Sequence, residues 1–109
     1  TGEEIVVPDL AASFQNAVVE VLVTRTVLAA KEYGYDKVAI AGGVASNTAL
    51  REGMKEACQK AGLKFYYPSP VYCTDNAAMI GVAAYYEYIG GSRAGWDLNA
   101  VPNLKLGER

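Results

Sequence analysis

The first third of the chain carries apolar residues at intervals of three and four, which is the spacing of one face of an α-helix. Asp9, which follows Pro8, is the predicted N-cap, and the helix is expected to end near Gly34. The apolar stripe expected to face the core comprises Phe14, Ala17, Val18, Val21, Leu22, Leu28 and Ala29. The pattern therefore predicts one long amphipathic helix.

Two short apolar segments predict strands. Residues 37–41 form an apolar run without alternation, which is typical of a strand covered on both faces. The second segment, "LKFYYPSP", is rich in aromatic residues and is closed by Pro68 and Pro70. Between them a helix is predicted, capped by Ser46 and ending at Gly62. Its inward stripe comprises Leu50, Met54, Ala57, Cys58 and Ala61. This order predicts a βαβ unit with flanking helices, which is an α/β fold.

The segment "TDNAAMIGVAAYYEYIGG" predicts a third helix that begins at Thr74 or Asp75 and ends at Gly90. It is apolar almost all round through Ala84, so we expect it to be buried, with the missing part of the protein as a candidate for the surface that covers it. Residues 91–109 contain Gly, Pro and Asn without any period, and they predict an irregular tail with Trp96 as an anchor.

Composition adds the class of protein. The chain has 109 residues, of which 51% are hydrophobic and 20% charged, as in globular domains. Its first residues, "TGEEIVVPDL", resemble neither a signal peptide nor a mature N-terminus, and a sheet of two strands would have two open edges. We therefore expect residues 1–109 to be a single fragment of a larger protein, one that self-associates when isolated. No apolar stretch is long enough for a membrane span, and the expected location is the cytoplasm.

Charge and residue counts exclude several functions for this chain alone. A net charge of −2 argues against autonomous binding of nucleic acid. Because the chain contains no histidine, it cannot by itself form a Ser-His-Asp or Cys-His catalytic site. Cys58 and Cys73 are too few and too far apart for a CxxC site, and we expect reduced, partly buried thiols.

The candidate site consists of the two loops that follow the strands, because ligands of open α/β sheets bind beyond the carboxyl ends of the strands. In "AGGVASN", Gly42 and Gly43 would let the backbone approach a ligand, and Asn47 offers both a donor and an acceptor. In "CTDNAAM", Asp75 is a candidate metal ligand, since carboxylate oxygen suits a hard cation. From the residues alone, the alternatives are a tight turn for the glycine pair and helix capping for Asn47 and Asp75.

Three segments, "DLAASFQNAVVEVL", "VAIAGGVASNTALR" and "YCTDNAAMIG", resemble the C-terminal part of the TsaD family, also called Gcp or YgjD. These are the bacterial tRNA N6-adenosine threonylcarbamoyltransferases, once labelled O-sialoglycoprotein endopeptidases. The resemblance covers nearly the whole chain. It implies a partial lobe of the actin-like ATPase fold, which is shared with actin, Hsp70 and sugar kinases and in which two α/β lobes close around a nucleotide.

The resemblance also implies residue roles. Asn47 matches the asparagine that contacts the nucleotide part of the substrate, with Gly42 and Gly43 as backbone neighbours. Asp75 matches the third ligand of a divalent metal, iron or zinc, one per full-length subunit. The family's other two ligands are histidines of an HxExH motif in its N-terminal portion, which this chain does not contain.

The implied reaction transfers the threonylcarbamoyl group from threonylcarbamoyl-adenylate to N6 of the adenosine beside the tRNA anticodon and releases AMP. TsaB and TsaE are the implied partners, and TsaC supplies the adenylate. No residue of this chain is expected to be catalytic, and the isolated fragment is expected to be inactive. Two alternatives stay open here: an ATP-dependent kinase of the same superfamily, and a non-catalytic assembly lobe. The segment "CTDNAAM" favours the TsaD family over the kinases.

Overall fold

The computed structural model describes residues 5–105 and 107, so the first four residues and positions 106, 108 and 109 of the predicted tail lie outside the described residues. The chain divides into two units, one that ends at Asp75 and one that begins at Asn76. The elements of the first unit are α1 (Val7–Glu32), β1 (Lys37–Ala39), a 3₁₀ turn (Gly43–Ser46), α2 (Thr48–Ala61), β2 (Lys64–Tyr66) and a second 3₁₀ turn (Pro70–Tyr72). The second unit contains α3 (Ala77–Ile89). The predicted α/β class is confirmed.

The sheet is a parallel pair of strands, with Val38 opposite Phe65 at its centre. Val38 is buried whereas Lys37 and Ala39 are exposed, so the helices cover one face of the sheet and not two as predicted. β1 is also two residues shorter than predicted. The backbone nitrogen of Ile40 still donates to the carbonyl oxygen of Tyr66 at 3.1 Å, and the φ of 86° at Gly42 then turns the chain into the 3₁₀ turn.

α1 begins one turn earlier than the sequence suggested. The carbonyl oxygen of Val6 accepts from the backbone nitrogens of Asp9 and Leu10, both at 3.1 Å. The prediction that Asp9 is the N-cap is therefore wrong, because the fixed φ of Pro8 suits the first helical turn and lets the helix begin before it. Asp9 lies inside that turn, where its carboxylate stabilises the positive end of the helix dipole. The end of the helix near Gly34 is confirmed.

α2 supplies most of the hydrophobic core. Its predicted stripe is confirmed at Leu50, Met54 and Cys58, while Ala57 and Ala61 are only half-buried. The buried core cluster comprises Ala30, Val38, Leu50, Met54 and Cys58. The predicted stop at Gly62 is confirmed as well, since this residue caps the helix in the left-handed conformation with φ 72°.

The predicted inward face of α1 is wrong. The side chains that pack on the core are Val19, Val23 and Val27, whereas Phe14 remains 71% exposed. α1 carries apolar residues on more than one side, so helical spacing fits two different stripes. The close approach of α2 selects the stripe that carries Val19. Gly53 on α2 has no side chain at this contact, and a Cβ there would stand 3.3 Å from Cγ1 of Val19.

In the second unit, α3 ends before Gly90 as predicted. This chain does not cover the helix, so its burial against the part of the protein outside the chain stays a prediction. Every residue of α3 except Glu87 is exposed. Trp96 is fully exposed and anchors nothing among the described residues. Residues 92–105 form turns without helix or strand. Within residues 5–105 and 107, no helix is both long and apolar enough to cross a bilayer.

Candidate functional site

The loop after β1 places the glycine pair between a strand and a helix. Gly42 adopts φ 86° and ψ 175°, a conformation that essentially only glycine tolerates. Its carbonyl oxygen accepts from the backbone nitrogen of Ala45 at 3.0 Å, which closes the 3₁₀ turn. Gly43 opens that turn, and a Cβ there would meet nothing within 4 Å. The backbone at Gly43 is therefore open to an approaching group.

Asn47 holds the start of α2. Its Oδ1 accepts from the backbone nitrogen of Leu50 at 2.9 Å, so Asn47 and not Ser46 is the N-cap. Ser46 cannot take this role because it is the last residue of the 3₁₀ turn, and the chain becomes extended only at Asn47. Nδ2 of Asn47 donates to Oε1 of Gln15 on α1 at 3.0 Å. The amide is thus fixed at both ends, with one acceptor and one donor position left for another group.

A cleft of about 240 Å³ adjoins Asn47. Gln15 and Asn47 provide its polar rim, and its other walls are apolar. The apolar lining consists of Phe14, Val18, Val19, Leu22, Val44 and Leu50. Its volume lies below the usual range of about 300 to 1,000 Å³ for small-molecule pockets, so it suits one part of a ligand, such as a planar ring.

The loop after β2 ends in Asp75. This carboxylate is exposed, and α3 begins only at Ala77 with Asn76 as its N-cap. Oδ1 of Asn76 accepts from the backbone nitrogen of Met79 at 3.0 Å, so the predicted helix start at Thr74 or Asp75 is wrong. Asp75 and Asn76 both have side chains that can cap a helix. Asn76 is the N-cap because its backbone is extended where the helix begins. The capping role that was the alternative for Asp75 therefore belongs to its neighbour.

Both loops leave the sheet on the same side, at the carboxyl ends of the strands, because β1 and β2 run parallel. Arg51 in the first turn of α2 connects them: Nε donates to the carbonyl oxygen of Ala45, and Nη2 donates to that of Pro68 at 3.2 Å. Sequence reasoning missed both Arg51 and Gln15. Arg51 follows the cap Asn47 by one helical turn, a spacing that places both on one side of the helix and could have revealed it.

Metal-binding and titrating groups are sparse. Among residues 5–105 and 107, no group of three or more His, Cys, Asp or Glu side chains could hold a metal ion. Burial raises the pKa of the Cys58 thiol in the core. Cys58 and Cys73 are not joined to each other, and both are fully buried where partial burial was predicted, because each packs into the interior of the first unit. The Lys60 ammonium, hydrogen-bonded to Glu56 on the surface of α2, holds the pKa of that carboxyl below its ordinary value. Cys58 and Glu56, the two groups with shifted pKa values, both lie on α2 and outside the two loops.

Comparison with known proteins decides the family. The sequence model of TsaD, described as tRNA N6-adenosine threonylcarbamoyltransferase, matches residues 3–82. The chain belongs to the TsaD family. This membership carries the actin-like ATPase-type fold of TsaD with it, confirms the fold expected from the sequence, and decides against the kinase alternative.

Curated relatives agree along nearly the whole chain. The tRNA N6-adenosine threonylcarbamoyltransferase of Clostridium botulinum strain Hall is 58% identical over 108 residues, which is 99% of this chain and 32% of the relative. The enzyme of the same name from Clostridium novyi is 59% identical, and that from Clostridium perfringens strain SM101 is 56% identical, with the same coverage. The chain thus spans about a third of the length of the TsaD relatives that it matches.

Proposed function

We propose that the chain is one wall of the active site of a tRNA N6-adenosine threonylcarbamoyltransferase. The observation that carries this proposal is the position of Asn47 and Asp75 on two loops at the same edge of a parallel sheet, in a chain of the TsaD family. By this proposal, residues 1–109 are a fragment of a larger two-lobed protein, with residues 91–109 as its irregular tail. The fragment alone has no turnover.

In the parent protein, the amine N6 of the adenosine beside the tRNA anticodon attacks the carbamoyl carbon of threonylcarbamoyl-adenylate. The bond between that carbon and the phosphate oxygen breaks, AMP leaves, and N6 gives up a proton. Asn47 binds the nucleotide part through the donor and acceptor positions that its two hydrogen bonds leave open. Gly42 and Gly43 provide a backbone without side chains beside it.

Asp75 would supply one oxygen ligand to a divalent iron or zinc ion. Its exposed carboxylate fits this role chemically, and the remaining ligands would come from outside the chain. When bound, such a metal would act as a Lewis acid toward oxygen atoms of the donor substrate. TsaB, TsaE and tRNA are partners of the parent protein in this proposal, TsaC supplies the adenylate, and the setting is the cytoplasm.

The test uses the full-length parent with two single variants. Asp75→Ala should lose bound metal, measured by elemental analysis, because it removes a ligand. Asn47→Ser should keep the metal and the helix cap but bind AMP about five- to tenfold more weakly in calorimetry, since serine caps a helix equally well but lacks the amide N–H. Both variants should lower tRNA modification.

The matched control is Asp36→Ala, which removes an exposed carboxylate that precedes β1, at the end of the strand away from the two loops. It should leave metal content, AMP affinity and modification unchanged. Full retention of metal and modification by Asp75→Ala would disprove the ligand role. Unchanged AMP affinity in Asn47→Ser would reduce Asn47 to a helix cap.

A further inference from the structure

Arg51 donates hydrogen bonds to three acceptors in two loops of the first unit. Nε donates to the carbonyl oxygen of Ala45 in the glycine loop. Nη2 donates to the carbonyl oxygen of Pro68 at 3.2 Å and to Sγ of Cys73 at 3.2 Å. These acceptors belong to the loops after β1 and β2, which no strand pairing joins. One side chain on α2 therefore ties the two loops together.

Only a guanidinium group can make this set of bonds. Its N–H groups point in fixed, separate directions within one plane, whereas the ammonium of lysine is a single nitrogen. The plane is held from one side by Tyr67, whose ring centroid lies 4.9 Å from Cζ of Arg51. Arg51 itself is half-buried, so solvent competes with these bonds only in part.

The bonds attach close to both proposed ligand residues. Ala45 stands two positions before Asn47, and Cys73 stands two positions before Asp75. Both attachment points are buried: Ala45 and Cys73 are 1% and 3% exposed. Sγ of Cys73 also lies 3.6 Å from the carbonyl oxygen of Ser69, which fixes the thiol within its loop.

We propose that Arg51 is a positioning residue that sets the spacing between Asn47 and Asp75, so that nucleotide and metal are held in register. It acts through the backbone of both loops. This inference rests on the proposed function, because it assigns the nucleotide to one loop and the metal to the other. Loss of the forked guanidinium should therefore weaken both bindings together, whereas Asn47→Ser weakens one.

The first measurement is independent of activity. In the full-length parent, iodoacetamide alkylation of Cys73 is followed by peptide mass spectrometry in the wild type, Arg51→Lys and Arg51→Met. Cys58 in the same sample reports global opening, since this residue of α2 is fully buried in the core. We expect Cys73 alkylation to rise about tenfold in both variants, because the loop that buries the thiol opens more often once the guanidinium no longer holds it, with Cys58 unchanged.

The second measurement takes AMP affinity and metal content of the same samples. Arg51→Lys and Arg51→Met should each bind AMP about fivefold more weakly and hold less metal. Lys55→Met is the matched control, because it removes an exposed positive charge from the next turn of α2 and should change nothing.

Four outcomes would overturn the inference or its basis. Unchanged Cys73 alkylation, or an equal rise at Cys58, would show that Arg51 does not specifically hold the loops. Loosened loops with normal AMP and metal binding would refute the positioning role, while the proposed function stands if Asn47→Ser and Asp75→Ala behave as expected. If those two variants are also normal, the proposed function itself fails.

Discussion

Gly42 and Gly43 are neighbours with different structural requirements. The φ of 86° at Gly42 is a backbone conformation that side chains other than hydrogen rarely tolerate. Gly43 has backbone dihedral angles that any residue can adopt, and a Cβ there would meet nothing within 4 Å. The first glycine is therefore needed for the turn, and the second leaves room that a ligand can use.

This difference predicts that alanine at position 42 lowers stability, whereas alanine at position 43 weakens AMP binding. Gly42→Ala should lower the free energy of unfolding by about 1 to 3 kcal/mol, because it strains the backbone. Gly43→Ala should change it by no more than about 0.5 kcal/mol, yet weaken AMP binding by the full-length parent because the methyl group occupies the open space. Urea denaturation and calorimetry on both variants measure the two effects. An equal loss of stability in both would contradict the assignment.

Sequence reasoning marked some residues of the candidate site and missed others for identifiable reasons. Asn47 and Asp75 could be marked because strand, loop and helix follow one another and place each residue at a strand end. The sequence could not show which of two neighbouring residues caps each helix. The extended backbone at Asn47 and at Asn76 decides this, and it is visible only in the structure. Gln15 was missed because its partner Asn47 is 32 residues away.

At the scale of elements, the existence and order of the helices and strands followed from periodicity and glycine positions. The face of α1 did not, because apolar residues on several sides of one helix allow more than one packing solution. Gly53 on α2 selects among them by letting Val19 and Val23 come close. That selection depends on the neighbouring helix, which no pattern within α1 contains.

Two aspartate substitutions in α1 test the observed face. Val23→Asp places a charge against the core and should lower the free energy of unfolding of the 109-residue chain by about 2 kcal/mol or more. Val21→Asp lies on the predicted but wrong stripe, where the side chain is 59% exposed, and should change it by less than about 0.5 kcal/mol. Thermal or urea denaturation separates the two. The reverse order of stabilities would restore the stripe that spacing predicted.

At the scale of the whole molecule, the first unit leaves a large apolar area uncovered. One face of the sheet is exposed, and so is the side of α1 that carries Phe14, Val21 and Leu28. The sheet formed by the described residues has two strands and hence two edges with unpaired backbone groups. Exposed apolar surface and open edges both favour association with another chain.

We therefore predict that the isolated chain self-associates. Light scattering over a concentration series should give a mean mass that rises above that of one chain. Tyr66→Lys places a charge on the exposed face of β2 and should shift the equilibrium toward the monomer without disturbing the core, because Tyr66 is 53% exposed. A wild-type chain that stays strictly monomeric at high concentration would contradict the prediction.

The hydrogen bond between Gln15 and Asn47 has an evolutionary consequence. A substitution at position 15 that removes the acceptor releases the amide of Asn47, so the damage appears at a residue 32 positions further along the chain. Selection then acts on the two codons as one unit. Homologous sequences that keep Asn47 should therefore keep, at position 15, a side chain that can accept a hydrogen bond, although the two positions belong to different motifs.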